Sequence, residues 1–443
     1  MAAQNPVIVI PGITASNLRD EYPVVPDTVW SAVMNKSFDR IALHPDNLKY
    51  ERDEPARVVH DSVFSLVYRE LINELRHDLS KKKEEPTPVY PFAYDWRHPL
   101  ERIEAQLESF IDEVIERTKL LRHYHRDKYQ DDPKVDLVGH SMGGLIIAGY
   151  LQRKGKDSRV GKVATLGTPF RGSLEAVIKM TTGTAAIGAG SASSRERETA
   201  RLTPALYYLL PSFENAVHPD AGIPATMFNP HAWQPSIVHT IEDYIRLHAV
   251  DRSQQNKRAQ AMMILLLSAA LQHRIRVESL ELSKAGLADD AWLCVVGVGE
   301  TTRVSLEIRK DAKGQPEFNL ASTDSKGRKA RANEWKSANP ADRVLTGDGT
   351  VPYFGARTSF IPTERVVCVS DSDFGYWELL DRGLEGPLGV GLHGMLPKMN
   401  LVHRLIVSHF KGESRKGTWG RVPPDLPAGR TWNPPIKGLE PKK

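Results

Sequence analysis

Val135-Asp136-Leu137-Val138-Gly139-His140-Ser141-Met142-Gly143-Gly144 is the stretch on which the reading of this 443-residue chain turns. Residues 135–138 form a short, mostly apolar strand that runs straight into Gly139, and a helix to about Gln152 leaves the other side of the serine. A G-x-S-x-G pentad alone recurs by chance. A strand entering it and a helix leaving it is the context of a sharp turn that presents a serine hydroxyl. Side chains at Gly139 and Gly143 would clash where such a turn draws backbone together from both sides. The Met142 N–H then lies at a helix N-terminus, placed to donate to a developing oxyanion with the helix dipole behind it. A phosphate-binding turn is the alternative, but the stretch lacks the lysine of a P-loop and the spacing of a dinucleotide fingerprint. His140, although adjacent, reads as a structural or pocket-lining residue rather than a base.

On either side of this turn, apolar runs alternate with amphipathic helices. Val7–Ile10, ended by Pro11-Gly12, reads as a strand buried on both faces, and Pro88–Tyr94 and Val160–Leu166 as further strands. Asp61–Lys81 has helical spacing with Asp61 as its N-cap. In Pro99–Leu121, Leu100, Ile103, Leu107, Phe110, Ile111, Val114 and Ile115 share one helical face. Alternation of this kind specifies an α/β fold, a mostly parallel central sheet with helices on both faces and right-handed crossovers. Residues 20–60 read as an irregular excursion. After residue 170 the rhythm breaks: Thr181–Ser194 is a small-residue loop, while Leu206–Leu210, Ile241–Leu247 and Ala259–Leu271 read as helical. The last of these is read as a buried cap helix, with lining of an acyl pocket or dipping into a lipid surface as the alternatives. Trp292–Val298 and Val366–Val369 are late core strands, Thr302–Ile308 alternates as a strand, and Leu401–Phe410 is helical. The organisation expected is a core over 1–170 and 291–410, interrupted by a largely helical cap over 171–290, with a flexible tail over 411–443.

Charge is nearly balanced, +4 from 59 basic and 55 acidic residues. That excludes nucleic acid as an expected partner and permits at most a weak, transient attraction to an anionic membrane surface. The longest apolar run, Ala261–Leu271, is 11 residues, against the roughly 20 that a spanning helix needs. Residues 1–6 do not have the pattern of a secretory signal. Cys294 and Cys368 sit in apolar strand-like runs and read as buried thiols, consistent with a reducing compartment. The expectation is a cytoplasmic protein, at most peripheral at a membrane, with no metal site and no cofactor.

A serine of this kind needs a second oxyanion donor, a base and an acid. The backbone N–H of Ile13, after the first strand, is the candidate donor beside Met142, with an ordinary Pro-Gly turn as the alternative. For the acid, Asp348 in Gly347-Asp348-Gly349-Thr350-Val351-Pro352 is bracketed by glycines that let the loop turn tightly; Asp371 and Asp373 are runners-up, and a plain Asp-Gly turn is the alternative. For the base, His393 follows a glycine-rich stretch (Gly383–Gly391) and precedes the last helix. His403 and His409 lie inside that helix and read as packing or surface residues. Asp95 and Arg97, after a strand, read as an ion pair beneath the site's loops.

Together these pieces resemble the lecithin:cholesterol acyltransferase-like group of α/β-hydrolases, which includes lysosomal phospholipases and phospholipid:diacylglycerol acyltransferases. The matching stretches are Pro6–Gly12 leading into Ile13, Tyr94-Asp95-Trp96-Arg97, Gly139–Gly144, Gly167-Thr168-Pro169-Phe170-Arg171-Gly172-Ser173, Leu209-Leu210-Pro211-Ser212, Gly347–Pro352 and His393-Gly394. The resemblance implies an α/β-hydrolase fold with a cap and acyl-ester substrates, often glycerolipids. It also implies Ser141, Asp348 and His393 as the triad, with Ile13 and Met142 as oxyanion donors. The signal and lid disulfide of extracellular members, and the N-terminal spanning helix of anchored ones, have no counterpart in these residues. The expected activity is therefore a cofactor-free acyl-ester hydrolase or O-acyltransferase working through an acyl-enzyme on Ser141. The rival readings are a catalytically inactive hydrolase-fold binding module and a peripheral lipid-binding protein.

Overall fold

The computed structural model describes residues 3–32, 37–53, 55–183, 194–321, 327–375, 378 and 391–442. Six strands form one parallel sheet: β1 (Val7–Ile10), β2 (Val89–Pro91), β3 (Val135–His140), β4 (Val160–Leu166), β5 (Trp292–Val298) and β6 (Val366–Ser370), in the order β6-β5-β4-β3-β1-β2. The strands are mostly apolar because both faces are covered. Alternate residues sort cleanly between the faces. Ile8, Ile10, Leu137, Val163, Cys294, Val296 and Cys368 belong to one core, and Val7, Val9, Val138, Ala164, Val295, Val367 and Val369 to the other.

The longer helices are α1 (Ser65–Leu79), α2 (Leu100–Lys119), α3 (Met142–Lys154), α4 (Leu174–Thr182), α5 (Ser194–Arg201), α6 (Pro235–His248), α7 (Gln255–Glu278) and α8 (Asn400–Lys411). α2, α3 and α7 pack on the first face and α1 and α8 on the second. In α2 the stripe Leu100, Ile103, Leu107, Ile111, Val114 and Ile115 is fully buried. Each such side chain contributes on the order of 2 kcal/mol, which holds a helix of otherwise charged composition on the sheet. Strand order reverses between β1 and β3, and the carboxyl ends of these two strands open the crevice where ligands bind in sheets of this type.

Four parts differ from the sequence reading. The stretch 20–60, read as an irregular excursion, carries strands among its described residues: Ser16–Asp20 pairs antiparallel with both Asp27–Trp30 and Val58–Val63, and Leu43–His44 pairs with Asn47–Glu51. These strands are short and buried on one side only, so their apolar alternation is broken by Asp, Pro and Arg. Asp61 does not cap α1, which starts at Ser65; it lies in the strand Val58–Val63 and ion-pairs with Arg19 at 3.2 Å. The polar stretch after residue 310 carries a strand, Pro316–Asn319. It pairs with Leu306–Lys310, which in turn runs parallel to Val217–Pro219. α7 buries Ala259, Met263, Leu266, Leu267 and Ala270 and exposes Ile264 and Leu265. Most of the Thr181–Ser194 loop (184–193) and of the Gly383–Gly391 stretch (383–390) lies outside the described residues.

The fourth difference is the segment after residue 411, read from the sequence as a flexible tail. Over residues 412–442 it is packed against β6. Arg421 exchanges both backbone hydrogen bonds with Cys368 at 2.9 Å, Trp432 Nε1 donates to the Val366 carbonyl at 2.8 Å, and Ile436 and Leu439 are buried. The physical reason is the sheet edge. β6 is terminal in the sheet, its outer N–H and C=O groups need partners, and this segment supplies them. Arg421 also pairs with buried Asp373 at 2.8 Å, joined by Lys442 at 3.0 Å. Burial alone would raise the Asp373 carboxyl, but Arg421, the Ser370 N–H and Lys442 outweigh it and hold it at about 2. The stabilisation is therefore fully present above the ordinary carboxylate value near 4 and is lost as pH falls through about 2. Arg421→Ala should cost about 3 kcal/mol in urea unfolding at pH 7, with the deficit shrinking as the pH is lowered towards 2.

Candidate active site

Ser141 stands between β3 and α3 with φ 54° and ψ −126°, a conformation rare for a residue with a side chain. The turn closes only because its neighbours are glycines. A Cβ at Gly143 would lie 2.3 Å from the Ile10 carbonyl oxygen, and one at Gly139 would lie 2.8 Å from the Gly144 nitrogen. The Ser141 N–H is anchored to the Leu166 carbonyl at 2.9 Å. Its hydroxyl is buried at the floor of a cavity of about 150 Å³.

The structure brings Ser141, His393 and Asp348 together. His393 Nε2 lies 2.9 Å from Ser141 Oγ, and His393 Nδ1 lies 2.7 Å from Asp348 Oδ2. Every polar group of His393 is engaged. Its N–H donates to the Asp348 carbonyl at 2.9 Å, and its own carbonyl accepts from His140 Nε2 at 2.9 Å. The second carboxylate oxygen of Asp348 accepts the N–H groups of Thr350 (3.0 Å) and Val351 (2.7 Å). Such a network leaves the carboxylate and the imidazole one orientation.

Asp348 does not directly follow a core strand. A clasp brings it to the tip of β5. Gly299 N–H donates to Thr346 Oγ1 (2.9 Å), Glu300 N–H to the Gly347 carbonyl (3.0 Å), and Gly349 N–H to Thr302 Oγ1 (2.8 Å). Gly297 makes the approach possible, since a Cβ there would meet the Asp348 Cβ at 2.5 Å. Glu300 also accepts the Leu392 N–H at 2.5 Å, tying the segment that carries His393 to the same clasp.

Of the candidate oxyanion donors, Ile13 lines the cavity with Ser141, and Met142 opens α3 directly after it. Among the described residues, the backbone N–H groups of Ile13 and Met142 find no acceptor within the protein. The loop carrying Ile13 is held from behind. Tyr94 Oη donates to the Pro11 carbonyl (2.7 Å), Trp30 Nε1 to the Thr14 carbonyl (2.9 Å) and Trp96 Nε1 to the Ser16 carbonyl (3.3 Å). The ion pair expected of Asp95 and Arg97 is present at 2.6 Å, with Glu51 2.8 Å from the same guanidinium. Burial opposes charge on Asp95, yet Arg97 and His98 hold its carboxyl far below the usual range.

The other candidates lie elsewhere. Asp371 is exposed, and Asp373 is committed to Arg421. His403 donates to the Pro397 carbonyl at 2.7 Å, and His409 sits against the Pro435 and Ala291 carbonyls. Burial pushes both rings down to about 4. The cavity is lined by Trp30, Ala32 and Phe38 on one side and by Ala176, Leu206 and Leu209 on the other, with Glu175, Lys179 and Glu196 as charged members. Nothing from 259–271 lines it, so α7 is a packed helix rather than a pocket wall. The sequence reading missed Tyr68, which hydrogen-bonds His140, and Glu300; both sit in unremarkable surroundings in the sequence. Among the described residues no group of three His, Cys, Asp or Glu side chains could hold a metal ion.

The family model for lecithin:cholesterol acyltransferase matches residues 65–288, half of the chain. The chain belongs to that family, and its activity lies with the lipid acyl-ester hydrolases and acyltransferases. No curated protein matches it at a significant level. A chain in the crystal structure of the Tle4–Tli4 complex is similar over 80% of this chain and 89% of its own, at 17% identity and a TM-score of 0.52. At that identity the likeness speaks for the fold, which is that of an α/β-hydrolase. No helix among the described residues is long and apolar enough to cross a membrane.

The closeness of Gly143 to β1 gives a direct test. Gly143→Ala must push the Ile10–Ile13 backbone away from Ser141. Turnover of a short-chain p-nitrophenyl ester should fall about 100-fold, with far-ultraviolet circular dichroism unchanged.

Proposed function

We propose that this chain is a serine-dependent acyl-ester hydrolase or O-acyltransferase of the lipase and phospholipase kind, with Ser141, His393 and Asp348 as its triad. The observation that carries the reading is the unbroken line Ser141 Oγ, His393 Nε2, His393 Nδ1, Asp348 Oδ2, at 2.9 and 2.7 Å, opening into an apolar cavity.

In this reading Ser141 Oγ bonds to the ester carbonyl carbon as its proton passes to His393 Nε2. The Ile13 and Met142 N–H groups bind the resulting oxyanion, with the dipole of α3 behind Met142. The bond to the alcohol oxygen then breaks as His393 returns the proton to it, leaving the acyl group on Ser141. A water, or a second alcohol, then bonds to the acyl carbon as its proton passes to His393, and the bond to Ser141 Oγ breaks as His393 returns that proton to the serine oxygen. Asp348 stays ionised and keeps the imidazole in the required tautomer. None of these steps calls on a metal or an organic cofactor.

Residues 171–290 are proposed as the cap. The support is that Ser173, Glu175, Ala176, Lys179, Glu196, Thr199, Ala200, Thr203, Leu206 and Leu209 all line the cavity above the triad. A lipid acyl ester as substrate follows from the family and from the apolar walls. Transient contact with a lipid surface belongs to the same proposal and is supported by Tyr22, Val24 and Val25, a run of exposed apolar side chains. So does a reducing, cytoplasmic setting, supported by Cys294 and Cys368 being buried free thiols.

Fluorophosphonate labelling tests the reading. The wild type should label stoichiometrically and turn over a mixed glycerolipid extract, and Ser141→Ala should do neither. Consumption of lipid by Ser141→Ala at the wild-type rate would sink the mechanism. An unlabelled, inactive wild type would favour a binding module instead.

A further inference from the structure

A chain of three hydrogen bonds runs from the loop after β1 to His393, and the acyl-transfer steps leave it unused. The Gly12 N–H donates to Tyr68 Oη at 3.0 Å. Tyr68 Oη lies 2.6 Å from His140 Nδ1, and His140 Nε2 lies 2.9 Å from the His393 carbonyl oxygen. The direction of the chain is forced from both ends, because a backbone N–H only donates and a backbone carbonyl only accepts. His140 must therefore carry its proton on Nε2 and accept at Nδ1. The Tyr68 hydroxyl must donate to His140 while accepting from Gly12. Tyr68 and His140 are both buried, at 1% and 5% exposure. Burial, and the neighbouring His393, push the His140 ring down to about 3, which keeps it neutral and the polarity fixed.

The ends of this chain are the parts that acyl transfer must hold apart correctly. Gly12 precedes Ile13, and a Cβ on Gly12 would come within 2.9 Å of the Ser141 Cβ. His393 touches Ser141 Oγ from the other side. His140 immediately precedes the serine. We propose that Tyr68 and His140 are positioning residues that fix the oxyanion loop and the base relative to one another around Ser141. The inference rests on the acyl-transfer reading. It also gives α1 a role beyond packing, since Tyr68 projects from the first turn of that helix to the site. Space-filling alone predicts little from Tyr68→Phe, which keeps the ring. A hydrogen-bond chain predicts a loss, because His140 Nδ1 is left without its donor.

The test uses the full-length protein, a short-chain p-nitrophenyl ester, and fluorophosphonate labelling to count competent sites. Tyr68→Phe and His140→Gln should each lower kcat per labelled site about 10- to 100-fold, with KM within about twofold. The double variant should be no worse than the poorer single one, because either change breaks the same chain. Losses that multiply in the double variant overturn the proposal, as does a lower melting temperature with kcat per site unchanged. Histidine nitrogen-15 NMR of the wild type gives a readout independent of turnover. His140 should appear as the Nε2–H tautomer and not titrate between about pH 5 and 9, and Tyr68→Phe should perturb it. An Nδ1–H tautomer, or titration in that range, overturns the chain itself. A wild type with the expected tautomer but neither labelling nor turnover removes the positioning role together with the acyl-transfer reading, and so tells the two failures apart.

Discussion

The close approach of two backbones governs this molecule. The end of β1 and the first turn of α3 come so near that only hydrogen fits at residue 143, with the Ile10 carbonyl 2.3 Å from where a Cβ would stand. That contact sets how far the loop carrying Ile13 can be from Ser141. It also forces the serine into φ 54°, because the chain must reverse within one residue to leave β3 and enter α3. The strain is sustained because β3 is bonded along both edges, by β1 and by β4, and α3 is buried through most of its length.

Around that contact the support is layered. The Tyr94, Trp30 and Trp96 side chains hold the loop after β1 by its carbonyls, and the Asp95–Arg97–Glu51 cluster locks the segment that carries two of them. Breaking one member of such a buried cluster leaves an uncompensated charge. The cluster therefore acts as a rigid bracket more than as a source of net stability. Below the sheet, α1 and α8 close the second core, and the segment 412–442 seals the β6 edge.

How much of this was legible in the sequence depends on the range of the signal. β1 and β5 are continuous apolar runs and β3 and β4 mostly apolar ones, and a sheet covered on both faces leaves that mark locally. The glycine pentad carries its own steric argument. Asp348 and His393 could be chosen because glycines and chain order constrain where such loops return; His393 lies against Ser141, and Asp348 against His393. The two small sheets within residues 16–63 were not legible, since strands such as Asn47–Glu51 expose most of their residues and carry no clean alternation. The packing of residues 412–442 was not legible either, because its partner is a sheet edge about 50 residues away and its few apolar anchors, such as Ile436 and Leu439, have no period. Tyr68 was invisible for a subtler reason. On an amphipathic helix an aromatic residue at an inward position looks like core, and nothing nearby in sequence announces that its hydroxyl meets His140.

The clasp between residues 299–302 and 346–349 has a consequence for how such a chain can change over generations. Asp348 is registered to β5 by bonds at the neck of an excursion, from Thr302, Thr346 and Gly347, and not by the excursion's own contents. Chain between the two sides of that neck can lengthen, shorten or acquire new surface while the carboxylate stays put, because loop closure costs little more as a loop grows. The excursion is in that sense a cassette, a place where lineages can attach new recognition surfaces without rebuilding the site beneath.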